Sequence, residues 1–162
     1  ELKNEISTFE QDVKLNFYGS LAEDVKENIL NHDLKNILVE HGYVSHQTSI
    51  EAINKANLLL LTNFDKAESK GIIPGKIFEY MATGNPILAI GPKDADVEKI
   101  MIQTQSGGSF GHAEKNEVKR FILLNYQQWL KNPNYTFLNN PTEIEQYSRR
   151  NLTKKLVEIL KA

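Results

Sequence analysis

The sequence predicts an α/β fold, a Rossmann-like parallel sheet flanked by helices, and three observations predict it. Short apolar runs alternate with stretches in which apolar residues recur every three or four positions. The run Leu58-Leu59-Leu60-Leu61 is apolar throughout, as strands covered on both faces are. Glycine and proline then punctuate the elements around it, at Gly84-Asn85-Pro86 and Gly91-Pro92.

The elements follow in order. Residues 1–11 are polar, with Leu2, Ile6 and Phe9 at helical spacing, which predicts the end of a helix. Val13 to Tyr18 alternates and stops at Gly19-Ser20, a strand and a turn. Leu21, Val25 and Ile29 form one helix face, which closes near Asn31-His32-Asp33. Ile37-Leu38-Val39 is a second strand, running into Gly42-Tyr43-Val44-Ser45-His46. A short helix carrying Ile50 and Ile53 follows, with Thr48 or Ser49 expected as its N-cap. After the strand Leu58 to Thr62 comes a loop from Asn63 to Gly75. A helix is then signalled at both ends, by Pro74 at its first turn and by Gly84 and Pro86 past its last. Ile87 to Ile90 is the next strand, Val97, Ile100 and Met101 mark a helix, and Gly107 to Gly111 reads as a short strand. Val118, Phe121, Ile122 and Trp129 stripe a longer helix, Asn132 to Pro141 is an irregular connection, and Leu152, Leu156 and Ile159 stripe a last helix.

Composition removes several classes of function. The 162 residues are 40% hydrophobic and 25% charged, an ordinary globular balance that one domain of this length can bury. Zero cysteines exclude a disulfide scaffold, a zinc ribbon and a thiol nucleophile. Nineteen Lys and Arg against twenty-one Asp and Glu leave a net charge of −2, without the basic excess of a nucleic-acid binder. No apolar run approaches the roughly 20 residues that span a bilayer. The start Glu1-Leu2-Lys3-Asn4-Glu5 carries no secretory signal pattern. A single soluble, cytoplasmic domain is the expectation.

In an open parallel sheet, ligands bind beyond the carboxyl ends of the strands, where loops enter helix N-termini. Three loops qualify: 42–49, 63–75 and 91–96. The middle one leaves the most apolar strand and enters a helix through Gly71-Ile72-Ile73-Pro74-Gly75-Lys76. Unpaired N–H groups at that helix start, with the Lys76 ammonium beside them, suit a phosphate. Glu79 lies one turn on, on the same side, where a carboxylate can accept two ribose hydroxyls. The same spacing also suits an exposed ion pair between Lys76 and Glu79, and spacing alone does not choose.

The stretch from Pro74 to Ala89, Pro74-Gly75-Lys76-Ile77-Phe78-Glu79-Tyr80-Met81-Ala82-Thr83-Gly84-Asn85-Pro86-Ile87-Leu88-Ala89, closely resembles the donor-binding segment of retaining glycosyltransferases of the two-domain GT-B class (glycosyl transferases of group 1). Gly42-Tyr43-Val44-Ser45-His46, Ala56-Asn57-Leu58-Leu59-Leu60 and Tyr147-Ser148-Arg149-Arg150-Asn151-Leu152-Thr153 resemble neighbouring segments, so the likeness spans about residues 13–160. The resemblance implies the C-terminal, nucleotide-sugar-binding half of an enzyme that transfers a sugar to an acceptor hydroxyl, in cell-surface polysaccharide or glycan synthesis. It implies that Glu79 holds the ribose and that Lys76 lies near the diphosphate or sugar. The segment Gly71, Ile72, Ile73 and Gly75 would bring backbone N–H groups to the sugar-phosphate, with Tyr80 beside it. Tyr43 and Val44 would frame the nucleobase. It implies no metal or other cofactor, the leaving-group charge being met by helix N-termini and basic side chains. Its partners would be a UDP-, GDP- or dTDP-sugar and a preceding acceptor domain of the same polypeptide. It also allows peripheral membrane association of the full-length enzyme.

Two departures stand out. The family's common pattern has a glutamate eight positions before the ribose-binding one; here that residue is Gly71, leaving Glu68 or Asp65 as substitutes. The family's domain also begins with a strand and a glycine-rich turn ahead of the segment seen here. Isolated, such a half is expected to be inactive. A nucleotide-sugar 2-epimerase and a non-catalytic nucleotide-binding module are the rival readings, the second kept open by Gly71. His46 and His112 read as surface or capping residues, Gly107-Gly108-Ser109 as a turn or a ligand approach, and Tyr126 with Trp129 as helix packing. Glu143, Glu145, Arg149 and Arg150 read as a solvated charge run.

Overall fold

Apolar runs too short for helices pair as strands here, and in the computed structural model, which describes residues 1–161, every strand pairing is parallel. The protein is α/β, with a two-stranded and a three-stranded parallel sheet flanked by helices. The chain divides into two compact units, Glu1–Ala52 and Ile53–Ala162, with the boundary inside a helix.

In the first unit, α1 (Leu2–Glu5) and α2 (Phe9–Asp12) precede β1 (Leu15–Phe17), and α3 (Glu23–Asn31) leads to β2 (Leu38–Glu40). The expected single helix end is thus two separate turns, because Ile6 is extended (φ −127°, ψ 107°) and interrupts the ladder. The strands run in register, Leu15 opposite Leu38 and Phe17 opposite Glu40. Leu2, Phe9 and Ile37 are the buried hydrophobics of this unit. At its carboxyl end, the Tyr18 and His41 rings stack at 4.2 Å, and His41 Nε2 bonds to Asn16 Oδ1 at 2.9 Å. Next comes α4 (His46–Lys55). Its cap is Ser45, not Thr48 or Ser49: Ser45 Oγ accepts from the Thr48 N–H at 3.1 Å. Thr48 is the third helical residue, whose N–H an N-cap side chain reaches.

The second unit is built on β3 (Leu59–Thr62), β4 (Ile87–Ile90) and β5 (Gly107–Phe110), in that order across the sheet. Between them run α5 (Lys76–Thr83) and α6 (Asp96–Thr104), and α7 (Lys115–Lys131), α8 (Pro141–Glu145) and α9 (Arg149–Lys161) follow. Leu59, Leu61, Ile87 and Ala89 face Ile77, Met81, Val97, Ile100 and Met101 in one buried cluster. Ile77 and Met81 lie one turn apart, so α5 seats a single face on the sheet. Burying each such side chain contributes about 1.5–3 kcal/mol. On the opposite face, Phe110 of β5 packs against Phe121 of α7 at 5.5 Å.

Two glycines are dictated by geometry. Gly84 ends α5 in the left-handed region (φ 75°), with its N–H on Met81 O. At Gly107 (φ 149°) a Cβ would stand 2.0 Å from Ile87 O, so β5 can approach β4 only without a side chain. The Gly107 segment is therefore a strand fitted to β4 rather than a turn.

The Asn140 side chain caps α8 by accepting from the Glu143 N–H, and Pro141 occupies the first helical turn. The expected solvated charge run is partly engaged: Glu143 Oε2 accepts from Gln103 at 2.7 Å and from Gln146, and the Tyr147 hydroxyl donates to Gln103 at 2.9 Å. Tyr126 is buried and stacks with Trp129 at 6.0 Å, as the helix-packing expectation has it. In α9 no residue is buried, and Leu152, Leu156, Val157, Ile159 and Leu160 are exposed. Among the described residues, no helix is long and apolar enough to cross a membrane.

Candidate functional site at the carboxyl end of the three-stranded sheet

Parallel strands direct their carboxyl ends to one side, and in the second unit the loops there converge on Asn63, the residue after β3. Its backbone N–H continues the ladder to Ile90 O at 2.8 Å. Its side-chain amide donates to Ser69 O at 3.3 Å and Ile72 O at 3.1 Å, while its Oδ1 accepts from the Phe64 N–H at 3.0 Å. Its carbonyl accepts from His112 Nε2 at 2.9 Å. One residue thus ties β3, the loop before α5 and the start of the β5–α7 connection. Within that loop, residues Ala67–Gly71 form a 3₁₀ turn around the buried Ser69. A small crevice lined by Leu61, Asn63, Pro74, Pro92, Glu98 and Ser109 opens beside it.

The loop delivers the chain to α5 through Pro74 and Gly75, and Gly75 supplies no side chain to cap the helix. The Ile77 and Phe78 N–H groups turn back to Pro74 O and Gly75 O, at 3.0 and 3.3 Å. Among the described residues, nothing accepts from the N–H groups of Gly75 and Lys76. The helix start therefore keeps open donors and the positive end of its dipole.

The side chains around it divide by the helix period. Ile77 and Met81 are buried, Phe78 tilts onto Tyr147 at 5.9 Å, and Tyr80 packs half-buried against the core cluster. Burial, and then the neighbouring Glu79 charge, push the Tyr80 hydroxyl above its usual range. Lys76 and Glu79 are left on the exposed side. The i,i+3 ion pair that their spacing allows is not formed: among the described residues neither takes part in a salt bridge.

The other charges at this end are largely paired. Lys70 meets Asp94 at 3.7 Å, and Lys93 meets Glu98 at 2.7 Å and Glu114 at 3.5 Å. Burial pushes the Glu98 carboxyl up, but the Lys93 ammonium and the Asp94 N–H outweigh it and hold the group below its usual value. Lys66 is exposed and, like Lys76, forms no ion pair among the described residues.

Gly71, Ile72, Ile73 and Gly75 are all exposed on the loop, beside Asp65 and Glu68. Open space surrounds a Cβ built at Gly71, so no close packing explains the glycine there. Tyr43 and Val44 belong to the first unit: Tyr43, just past β2, is 89% exposed, and Val44 is half-buried. His46 opens α4 and is exposed. Sequence reasoning missed Asn63 and the tie through His112; an asparagine ending an apolar strand was the available sign. Among the described residues, no group of three His, Asp or Glu side chains could hold a metal ion.

Chemically, α5 offers two exposed N–H donors and an ammonium for an anion, and one turn on an acceptor for a pair of hydroxyls. The chain matches no protein-family model and no curated protein.

Proposed function

We propose that this chain is the nucleotide-sugar-binding half of a retaining GT-B glycosyltransferase, which transfers a sugar to an acceptor hydroxyl in glycan or cell-surface polysaccharide synthesis. The observation that carries the proposal is the unengaged pair on α5, Lys76 and Glu79, on the open side of an uncapped helix start beyond β3. An exposed lysine and glutamate one turn apart ordinarily gain a few tenths of a kcal/mol by pairing, and here they stay separate. In this reading the Gly75 and Lys76 N–H groups and the Lys76 ammonium take the diphosphate. Glu79 accepts the 2′ and 3′ hydroxyls of the ribose. As the sugar departs, the growing charge on the diphosphate is met by donors already in place, which lowers the barrier without reorganisation. The acceptor side comes from a preceding domain of the same polypeptide, so the isolated chain binds nucleotide without transferring sugar.

The test is calorimetric titration of UDP, GDP, dTDP and ADP, repeated with Glu79→Ala for the tightest binder. Losing two charge-assisted hydrogen bonds should weaken binding by about 1.5–3 kcal/mol. Unchanged affinity in the variant removes Glu79 from the ribose, and the absence of binding by any of the four removes the proposal.

A further inference from the structure

With the diphosphate at the start of α5, the donor sugar sits one oxygen bridge beyond the distal phosphate. The residues that lead into that helix start, Gly71 to Gly75, border the sugar, and none of the five carries a polar side chain. Their backbone groups are largely engaged. The Ile72 N–H bonds to Ser69 O at 3.0 Å, and Ile72 O accepts from the Asn63 amide at 3.1 Å. Pro74 has no N–H, and its carbonyl accepts from the Ile77 N–H at 3.0 Å. The carboxylates of the loop, Asp65 and Glu68, come earlier in it, and the 3₁₀ turn that carries Glu68 lies against α6, where Lys70 meets Asp94.

What the segment presents instead is hydrocarbon. Ile72 is 46% exposed and Ile73 is 39% exposed. Ile72 is extended (φ −83°, ψ 117°), and Pro74 restricts Ile73 before it to the extended region as well. Successive side chains of an extended chain leave it on opposite sides, so a sugar on either side of the segment meets an isoleucine. Asn63 adds a third apolar group: its side chain holds both the Phe64 N–H and Ile72 O, and Phe64 is 71% exposed. Exposed hydrophobic residues scattered singly are ordinary, but three on one short loop form a patch, the kind of surface that a ligand covers.

We propose that the donor sugar is a 6-deoxyhexose, its C6 methyl group packed against the isoleucine rim of this loop. The inference rests on the donor-site reading above and names the sugar class for that same site. A hydroxymethyl group in this place sets a hydroxyl against aliphatic side chains and a backbone with little left to bond it, whereas a methyl group meets matching surface. The ring hydroxyls keep the Ile73 N–H and carbonyl, to which no described residue bonds. An apolar pocket separates two groups that differ by a hydroxyl by about a hundredfold, and a rim open to solvent on both sides should separate them by about tenfold.

Calorimetry with matched donors tests this. The nucleoside diphosphate that binds tightest is compared as its glucose, galactose and mannose esters, each against the 6-deoxy counterpart. In the best-bound pair the 6-deoxy ester should bind about tenfold more tightly. Because the two isoleucines take opposite sides, the decisive variant changes both, Ile72→Ser with Ile73→Ser. It should bring the members of the pair within about twofold of each other and leave the affinity for the free nucleoside diphosphate unchanged, which also shows that the variant is folded; the single changes then identify which isoleucine meets the methyl group. Equal affinity within every pair overturns the proposal and returns the rim to a protein surface. So does tighter binding of the hydroxymethyl sugars, or a preference that survives the double change. The two readings fail separately: a chain that binds the nucleoside diphosphate without telling the esters apart loses only the sugar class, whereas a chain that binds no nucleoside diphosphate loses the donor site and the sugar class with it.

Discussion

Replacing Asn63 by alanine removes the side chain that folds the loop before α5 back onto β3. Three hydrogen bonds go with it: two donated to Ser69 O and Ile72 O, at 3.3 and 3.1 Å, and one accepted from the Phe64 N–H at 3.0 Å. Each bond of this kind contributes about 0.5–1.5 kcal/mol net. Most of the surroundings are exposed, so water can take over the freed carbonyls and the loss sits at the low end, about 1–2 kcal/mol in all. That energy holds the loop closed, so the open population should rise about 5- to 30-fold. The loop contains Lys66 and Lys70, which makes trypsin a direct probe. Cleavage after these lysines should accelerate by that factor in Asn63→Ala, while cleavage after Lys154 and Lys155 in α9 should not change. Asn63→Asp keeps the acceptor for Phe64 and loses the two donors, so it should fall between wild type and alanine. A nicking rate at Lys66 and Lys70 equal to wild type would show that Asn63 does not hold the loop.

Further outcomes are expected elsewhere in the second unit. Ile77→Ala, at a position with no solvent exposure, should lower unfolding free energy by about 2–5 kcal/mol in urea titration. Gly107→Ala should weaken β4–β5 pairing, seen as faster amide exchange at Gly91, whose N–H bonds to Phe110 O, whereas Gly71→Ala, with open space around its Cβ, should change the unfolding free energy from urea titration by no more than about 0.5 kcal/mol. Glu98 has a lowered folded-state pKa, so its ion pair with Lys93 adds stability above the unfolded value of about 4.5, and that stability is lost as pH falls through the folded value. The difference in urea midpoint between wild type and Lys93→Gln should therefore be present at pH 6 and vanish toward pH 3; a difference independent of pH would contradict the assignment.

Much of the second unit was legible because its signals are local. The apolar runs at Leu59–Thr62 and Ile87–Ile90 and the Gly84-Pro86 stop each act within a few residues, and the helices and strands stand where those patterns put them. Boundaries set by caps were harder: Thr48 or Ser49 was the expected cap, and only the chain path shows that the Ser45 hydroxyl reaches the third N–H. The short α8 was hidden among asparagines and prolines, although Asn140 before Pro141 is a start signal. Asn63 offered only its place at the end of an apolar strand as a sign, and its tie to a histidine 49 residues away left no local trace. At the candidate site, the spacing of Lys76 and Glu79 put both on one side of α5, but whether they pair depends on rotamers that the spacing does not determine. The exposure of one face of β3 was equally invisible, because Leu58-Leu59-Leu60-Leu61 is apolar throughout, yet Leu60 and Thr62 are exposed.

The exposed apolar stripe of α9 has a thermodynamic consequence of its own. Isolated helices of about a dozen residues are marginal in water, and most helices are held by the face they bury. No residue of α9 is buried, so its helicity rests on local propensity and on the contacts of its first turn, where the Asn151 amide donates to Glu145 O at 2.8 Å. Its helical signal should then melt gradually and ahead of the cooperative transition of the sheet. A calorimetric trace of this chain would show a sloping baseline before its peak, set by thirteen residues that are folded as a helix before they are packed as part of a core.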